Sequence, residues 1–204
     1  MFLIAVAAHI SAPEPTNYRA WFGVNDFPTY LPEEGVWYVG TRTIVRPDGT
    51  VQSCEVEYPS KYPKLDVLTC SIILKRAKYH PAGGADGSPI YGADRTTIIW
   101  SLDVPPEIPA DATFEVKSLP GGRSRSAYVP ITFLSSPSGA ITSCEADRRR
   151  PPAADPTEYN FDPALVATAC QHIGASFSFR PVKNDAGTSV SAVQNAIVLF
   201  KVTK

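Results

Sequence analysis

The spacing of apolar residues along the chain changes at the same landmarks twice. The stretch "GVWYVGTRTIV", Gly35–Val45, is rich in β-branched and aromatic residues and reads as a strand. "PDGT", Pro47–Thr50, supplies a hairpin turn in which Gly49 is free to take positive φ. "VQSCEVEY" then returns as a strand, with Cys54, Val56 and Tyr58 on one face by period-two alternation. In "KLDVLTCSIILKRAK" the period lengthens. Leu65, Leu68 and Ile72 recur at helical spacing, Asp66 suits the N-terminal end, and Lys75, Arg76 and Lys78 suit the C-terminal end. After the loop "YHPAGGADGSP", a last strand runs through "RTTIIWSLD".

The series then repeats. At an offset of about ninety, Tyr38, Val39, Gly49, Ser53, Cys54 and Glu55 fall on Tyr128, Val129, Gly139, Ser143, Cys144 and Glu145. At an offset of about one hundred, Leu65, Cys70, Ile73, Pro81 and Gly87 fall on Leu165, Cys170, Ile173, Pro181 and Gly187. The offset changes where the second copy carries the longer loop "RRRPPAADPTEYNFD", and insertions belong in loops. Strand "AYVPITFLS", turn "SPSG" and strand "AITSCEAD" lead to a helix with Asp162 as N-cap and Pro163 at its first position. "SAVQNAIVLFKV" closes the chain as a long strand.

The expected fold is therefore α+β: two tandem β-β-α-β domains, each a small antiparallel sheet with one helix packed on a face. Residues 1–20 read as a leader, 21–103 as the first domain and 123–204 as the second. Between them, 104–122 read as a Pro/Gly-rich linker and lead-in, within "DVPPEIPADATFEV" and "GG".

Composition narrows the function classes. A hydrophobic content of 44% supports packed cores, and a formal net charge of −1 argues against nucleic acid or an anionic membrane held by bulk charge. "MFLIAVAAHISAPEP" resembles the apolar region of a secretory signal, with "HISA" as a cleavage site; it lacks the usual positive n-region, and an ordinary N-terminal strand is the alternative reading. It is too short to span a bilayer, and no other segment is long and apolar enough, so no transmembrane segment is expected. The chain is expected to be periplasmic or secreted.

Each copy places one cysteine on the second strand and one about two turns into the helix. A helix packed on that strand would bring Cys54 to Cys70 and Cys144 to Cys170, each bridge contributing roughly 3 kcal/mol in the chain-entropy model. Disulfides are the preferred reading, and buried thiols in a reducing compartment are the alternative. Zinc is not expected, because no short Cys-x-x-Cys or His-x-x-x-His step occurs.

Catalytic signals are absent from the sequence. His80 lies in a loop, His172 reads as a helix-surface residue, and no nucleophile elbow, zinc-protease motif or phosphate loop occurs. Glu33, Glu34, Glu55 and Glu57 read as solvated turn and strand-face residues, and "GGRSRS" and "DRRRPP" as solvated loops. Neither an enzyme nor a cofactor is expected.

Taken in order, "DFPTYL", "PDGTVQSCEV", "LDVLTC", "KRAKYHPA", "DGSPI" and the strand ending in Trp100 resemble the C-terminal domain of TonB, the energy-transducing protein of the Gram-negative envelope. The resemblance covers residues 21–103 well. It covers 113–204 more weakly, through "SGAITSCEA", "LVATAC", "FRPVKNDAG" and "AIVLF". It implies a periplasmic binding module that docks an extended segment of an outer-membrane transporter beside its last strand. The matching positions are Thr96, Thr97, Ile98, Ile99 and Trp100 in the first copy. In the second they are Asn195, Ala196, Ile197, Val198, Leu199 and Phe200. The stretch "SVSAVQN" is polar enough to be a tolerable exposed edge; the alternative is that each edge pairs internally, with the other repeat or with a second chain. The family's membrane helix and Pro-rich spacer do not occur within these 204 residues, so force transmission is not implied by them. The alternative is a secreted or periplasmic structural or adaptor protein that uses the tandem domains for self-association, as a homodimer, or for envelope scaffolding.

Overall fold

In the computed structural model, residues 9–32, 34–101, 109–120, 125–149, 159–176 and 179–203 are described. In chain order the elements are β1 (Glu14–Pro15), β2 (Val36–Val45), β3 (Val51–Tyr58), α1 (Pro63–Arg76), β4 (Tyr79–His80), β5 (Ala82–Gly83) and β6 (Pro89–Ser101). They continue as β7 (Ala112–Val116), β8 (Ser126–Ser135), β9 (Ile141–Ala146), α2 (Pro163–Ser176), β10 (Val182–Lys183), β11 (Ser189–Val190) and β12 (Ala192–Val202).

The two copies do not form two separate small antiparallel sheets, which corrects the expected fold class. The strands merge into one mixed eight-stranded sheet, with path β3-β2-β6-β12-β8-β9, to which β5 is added by pairing with β6 and β7 by pairing with β12. The last strands of the two repeats, β6 and β12, meet in parallel, with Tyr91, Gly92 and Ala93 opposite Ala192, Val193 and Gln194. The sequence predicts each repeat from local periods, but periods say nothing about which edges meet. An open edge of apolar strand is costly, and joining the two repeats covers the first part of both edges, three residues of each.

Within each repeat the local reading holds. Gly49 and Gly139 close the matched hairpins at φ 82 and 88. Asp162 caps α2 by accepting from the backbone N–H groups of Ala164 and Leu165, and Pro163 opens that helix. Leu65 and Ile72 of α1 are buried. The first core gathers Val39, Leu65, Ile73, Tyr79, Ile98 and Trp100, and the second gathers Val129, Leu165, Ile173, Phe179, Val198 and Phe200. These are the same positions of the repeat. The disulfides Cys54–Cys70 and Cys144–Cys170 link strand to helix in each copy, with Cα separations of 5.4 and 5.8 Å.

Side-chain alternation fixes where the helices lie. On β6 the residues facing α1 are Ile98 and Trp100; on β12 those facing α2 are Ala196, Val198 and Phe200. Gln194 lies beside Ala93, which has the opposite parity to Ile98. The helices therefore cover opposite faces of the joined sheet, related by a local two-fold along the strand direction.

Three departures from the sequence reading have simple causes. The stretch "DVPPEIPADATFEV" is more than a linker, because Ala112–Val116 form β7, parallel to Val198–Val202. Of residues 9–20, read as the end of a leader, Ile10 and Ala12 are buried with Ala82 and Val193, and Glu14–Pro15 pair with β4. Tyr58 leaves the face shared by Cys54 and Val56 because a bulge between Gly40 and Thr41 shifts the register. Its ring then lies over Gly40, where a Cβ would come within 2.6 Å of it. Among the described residues no helix is long and apolar enough to cross a membrane.

Candidate functional site

The pairing of β6 with β12 ends after three residues because each strand stays with its own repeat. β6 continues along β2 as far as Ser101, and β12 continues along β8 as far as Lys201. Where they separate, Arg95 donates its backbone N–H to Asn195 Oδ1 (2.7 Å), and Asn195 Nδ2 donates to the Arg95 carbonyl (3.1 Å). Beyond this bridge the strands splay around a cleft of about 1280 Å³. Its lining includes Asp94–Thr97 from β6, Asn195–Ile197 from β12, and Tyr18, Tyr58, Asp111, Asp147, Arg149 and Tyr159.

Charge is distributed over both faces of this junction. On the α1 face, buried Asp94 accepts from the Tyr79 hydroxyl (3.0 Å) and the Thr96 hydroxyl (2.9 Å). Burial pushes the Asp94 carboxyl above its ordinary range, and burial beside Asp94 pushes the Tyr79 phenol well up. Asp147 and Arg149 form an ion pair nearby, and Arg149 also donates to the Pro13 carbonyl. Burial would lower the Arg149 guanidinium, but the Asp147 and Asp94 carboxylates hold it above its usual value.

On the opposite face, Arg95 Nε donates to Glu57 (2.9 Å), its NH1 donates to Gln194 (3.2 Å), and its guanidinium stands 4.8 Å over Phe179. Arg180 meets Glu55 (3.1 Å) and Glu57 (3.4 Å), and Arg42 donates to the Arg180 carbonyl. Glu57 is thus a largely buried partner of an arginine cluster that ties the repeats together rather than a solvated strand-face residue, while Glu55 joins the cluster with its side chain still 41% exposed. Glu33 lies outside the described residues. Gln194, read as part of an exposed polar edge, is fully buried between Arg95 and Ser135.

Asp111 marks the β12 wall. Its backbone N–H donates to the Ile197 carbonyl (2.8 Å), and its Oδ2 accepts from the Ile197 N–H (2.6 Å). The Tyr58 hydroxyl donates to its carbonyl (3.3 Å). Asp111 keeps partial exposure, yet burial among protein atoms pushes its carboxyl up to about 6.

The two sets of strand positions singled out in the sequence meet different fates. Asn195, Ala196, Ile197, Val198, Leu199 and Phe200 run inside the sheet, with β8 along one side and Asp111 and β7 along the other. Thr96, Thr97, Ile98, Ile99 and Trp100 pair with β2. On their other side no strand is paired among the described residues. Trp100 also donates its indole N–H to Thr69 on α1 (3.0 Å). His80 and His172 are exposed and far from forming a shared site; the His172 ring lies 4.7 Å from that of Phe114. Among the described residues no group of three or more His, Cys, Asp or Glu is arranged to hold a metal.

Sequence reading passed over Asp94, Arg95 and Asp111. The signal was present for the first two: an Asp-Arg pair interrupts an otherwise apolar and threonine-rich strand, where a charge is expensive unless it is partnered. Comparison with known protein families, characterised proteins and solved structures finds no match to this chain.

Proposed function

We propose that the chain is a binding module that captures an extended peptide segment in the cleft between β6 and β12, adding it as a strand beside β6. The observation that carries this reading is the unpaired side of Thr96–Trp100. Among the described residues no strand pairs there, and the cleft borders its start at Thr96 and Thr97, while the equivalent edge of β12 is filled by β7. Strand addition of this kind takes its affinity from backbone hydrogen bonds and its selectivity from alternate side chains.

β7 supports the reading by example, since it is an extended segment added to the matching strand of the other repeat. The resemblance of residues 21–103 to TonB C-terminal domains adds the candidate partner, a periplasmic segment of an outer-membrane transporter. The two disulfides fit an oxidising compartment such as the periplasm or the cell exterior. Under this reading the chain carries out no covalent chemistry.

The test is an NMR titration of the whole chain with TonB-box peptides and with scrambled controls. The expected result is shifts concentrated at Thr96–Trp100 and at the residues lining the cleft. Absence of binding in a chain that self-associates would replace this reading with the structural or adaptor one.

A further inference from the structure

The two helices hold matching places in the repeat, yet their outer faces differ. Both bury the same positions, Leu65 and Ile73 in α1 and Leu165 and Ile173 in α2. On its outer face α1 carries Lys64, Val67, Ser71, Leu74 and Lys75, where α2 carries Ala164, Ala167, Gln171, Gly174 and Ala175. Val67 and Leu74 are 71% and 50% exposed. The fold of the repeat requires neither the apolar pair nor the lysines, since the second copy does without both.

Val67 and Leu74 fall one above the other at helical spacing. They line a groove of about 370 Å³, together with Val56 of β3 and the Cys54–Cys70 bridge. β3 ends the sheet path, and among the described residues no strand pairs with its outer side. The backbone groups that point outward there belong to Cys54 and Val56. Arg95 turns its N–H and C=O toward Asn195, so Arg42, directly opposite it, turns its own toward β3. Glu55 faces Arg42, which leaves the groups of Cys54 and Val56 on the free side. An open strand edge and an apolar groove thus lie side by side.

Charge narrows what fits this surface. The exposed charged side chains of α1 are Lys64 and Lys75. Its one carboxylate, Asp66, is buried and accepts from the Ser60 N–H (2.8 Å), while Arg76 is held by Asp26. A second copy docked through the same face would bring lysines from both helices together with no exposed carboxylate on either to offset them. A lipid surface would cover the apolar pair without pairing the outward backbone groups of β3.

We propose that the groove between β3 and α1 is a docking surface for an extended, acidic segment of a partner protein, added as a strand beside β3 with alternate apolar side chains against Val67 and Leu74. Carboxylates of that segment meet Lys64 and Lys75. The surface lies two strands away from the β6 edge and does not depend on capture there.

NMR titration of the whole chain with two synthetic peptides tests the surface: Glu-Glu-Val-Thr-Leu-Thr-Val-Glu-Glu, and the same peptide with lysine in place of each glutamate. The acidic peptide should bind saturably and about tenfold or more tightly than the basic one, shifting the Cys54 and Val56 amides and the Val67 and Leu74 methyls. Lys64→Glu with Lys75→Glu should reverse that preference. Val67→Ser with Leu74→Ser, both at exposed positions, should weaken the acidic peptide by about tenfold with the melting temperature little changed. Absence of saturable binding, a preference that the lysine reversal leaves unmoved, or shifts confined to Thr96 and Thr97 in the cleft would each overturn the proposal. So would flotation of the chain with phosphatidylglycerol vesicles that the Val67→Ser with Leu74→Ser variant abolishes, if the acidic peptide shifts nothing on α1; the stripe would then belong to a lipid surface.

Discussion

Arg95 and Asn195 hold equivalent places in the two repeats, one hundred positions apart in the register of the repeat, and they are bonded to each other. Asn195 gives its side-chain amide to the backbone of Arg95, accepting from the N–H at 2.7 Å and donating to the C=O at 3.1 Å. The side chain does what a neighbouring strand would do, at the point where strand pairing stops. It marks the boundary between the joined sheet and the open cleft.

Asn195→Ala should therefore destabilise the fold by about 2 kcal/mol, since two backbone groups of a buried residue lose their partners. Asn195→Asp should be worse at neutral pH, because a carboxylate beside the Arg95 carbonyl repels it, and should recover in part under acid. Urea denaturation at pH 7 and pH 4 checks both expectations.

Glu57 lies between the two buried arginines of the junction, 2.9 Å from Arg95 and 4.0 Å from Arg42, with Arg180 at 3.4 Å. Removing it strands guanidinium charge whose side chains are only 3% exposed. Glu57→Ala should cost about 3 kcal/mol. The double variant Glu57→Leu with Arg95→Met should cost less than Glu57→Ala alone, because no buried charge is left unpaired. Thermal unfolding of the three proteins gives the comparison, and a double variant worse than the single would refute the account.

The disulfides close loops of 16 and 26 residues by sequence separation, each pinning a strand to the helix above it. Replacing either pair with alanine should lower stability by roughly 2–5 kcal/mol. Because the two bridges lie in separate cores, their effects should add within about 0.5 kcal/mol. Reducing agent should lower the melting temperature of the wild type and leave the doubly substituted chain unmoved.

Asp94 should give the chain an inverted acid response at one site. Its carboxyl is raised by burial, so its folded value lies above its unfolded one. The stability it contributes is complete below ~4, and is lost as pH rises through its folded value. Asp94→Asn keeps acceptors for the Tyr79 and Thr96 hydroxyls without the charge. Relative to the wild type it should gain stability as pH rises from 4 to 8, read by urea midpoints. A variant that gains nothing over that range would show Asp94 to be better compensated than its surroundings indicate.

The elements of each repeat were legible because they follow from short-range physics. The turns at Gly49 and Gly139 need positive φ, Asp162 caps a helix that Pro163 begins, and Leu65 and Ile72 fall on one helical face. The strand-to-helix placement of the cysteines also pointed to the bridges that formed. The cleft was much less legible. Glu55 and Glu57 alternate like solvent-facing residues, and nothing local says that Arg180, more than 120 positions away, will meet them.

The sequence by itself pointed to a duplicated unit, to the main strands and helix of each copy and to a preferred pairing of the four cysteines. All of these rest on period, cap, turn and repeat spacing, which neighbouring residues set among themselves. Only the tertiary structure decided that the units share one sheet, that their helices lie on opposite faces, and that β6 and β12 part after three residues. Those outcomes depend on which unpaired edges meet and where twist pulls them apart. They turned "RTTIIW" and "NAIVLF" from two equivalent edges into one strand beside an open cleft and one already occupied by β7.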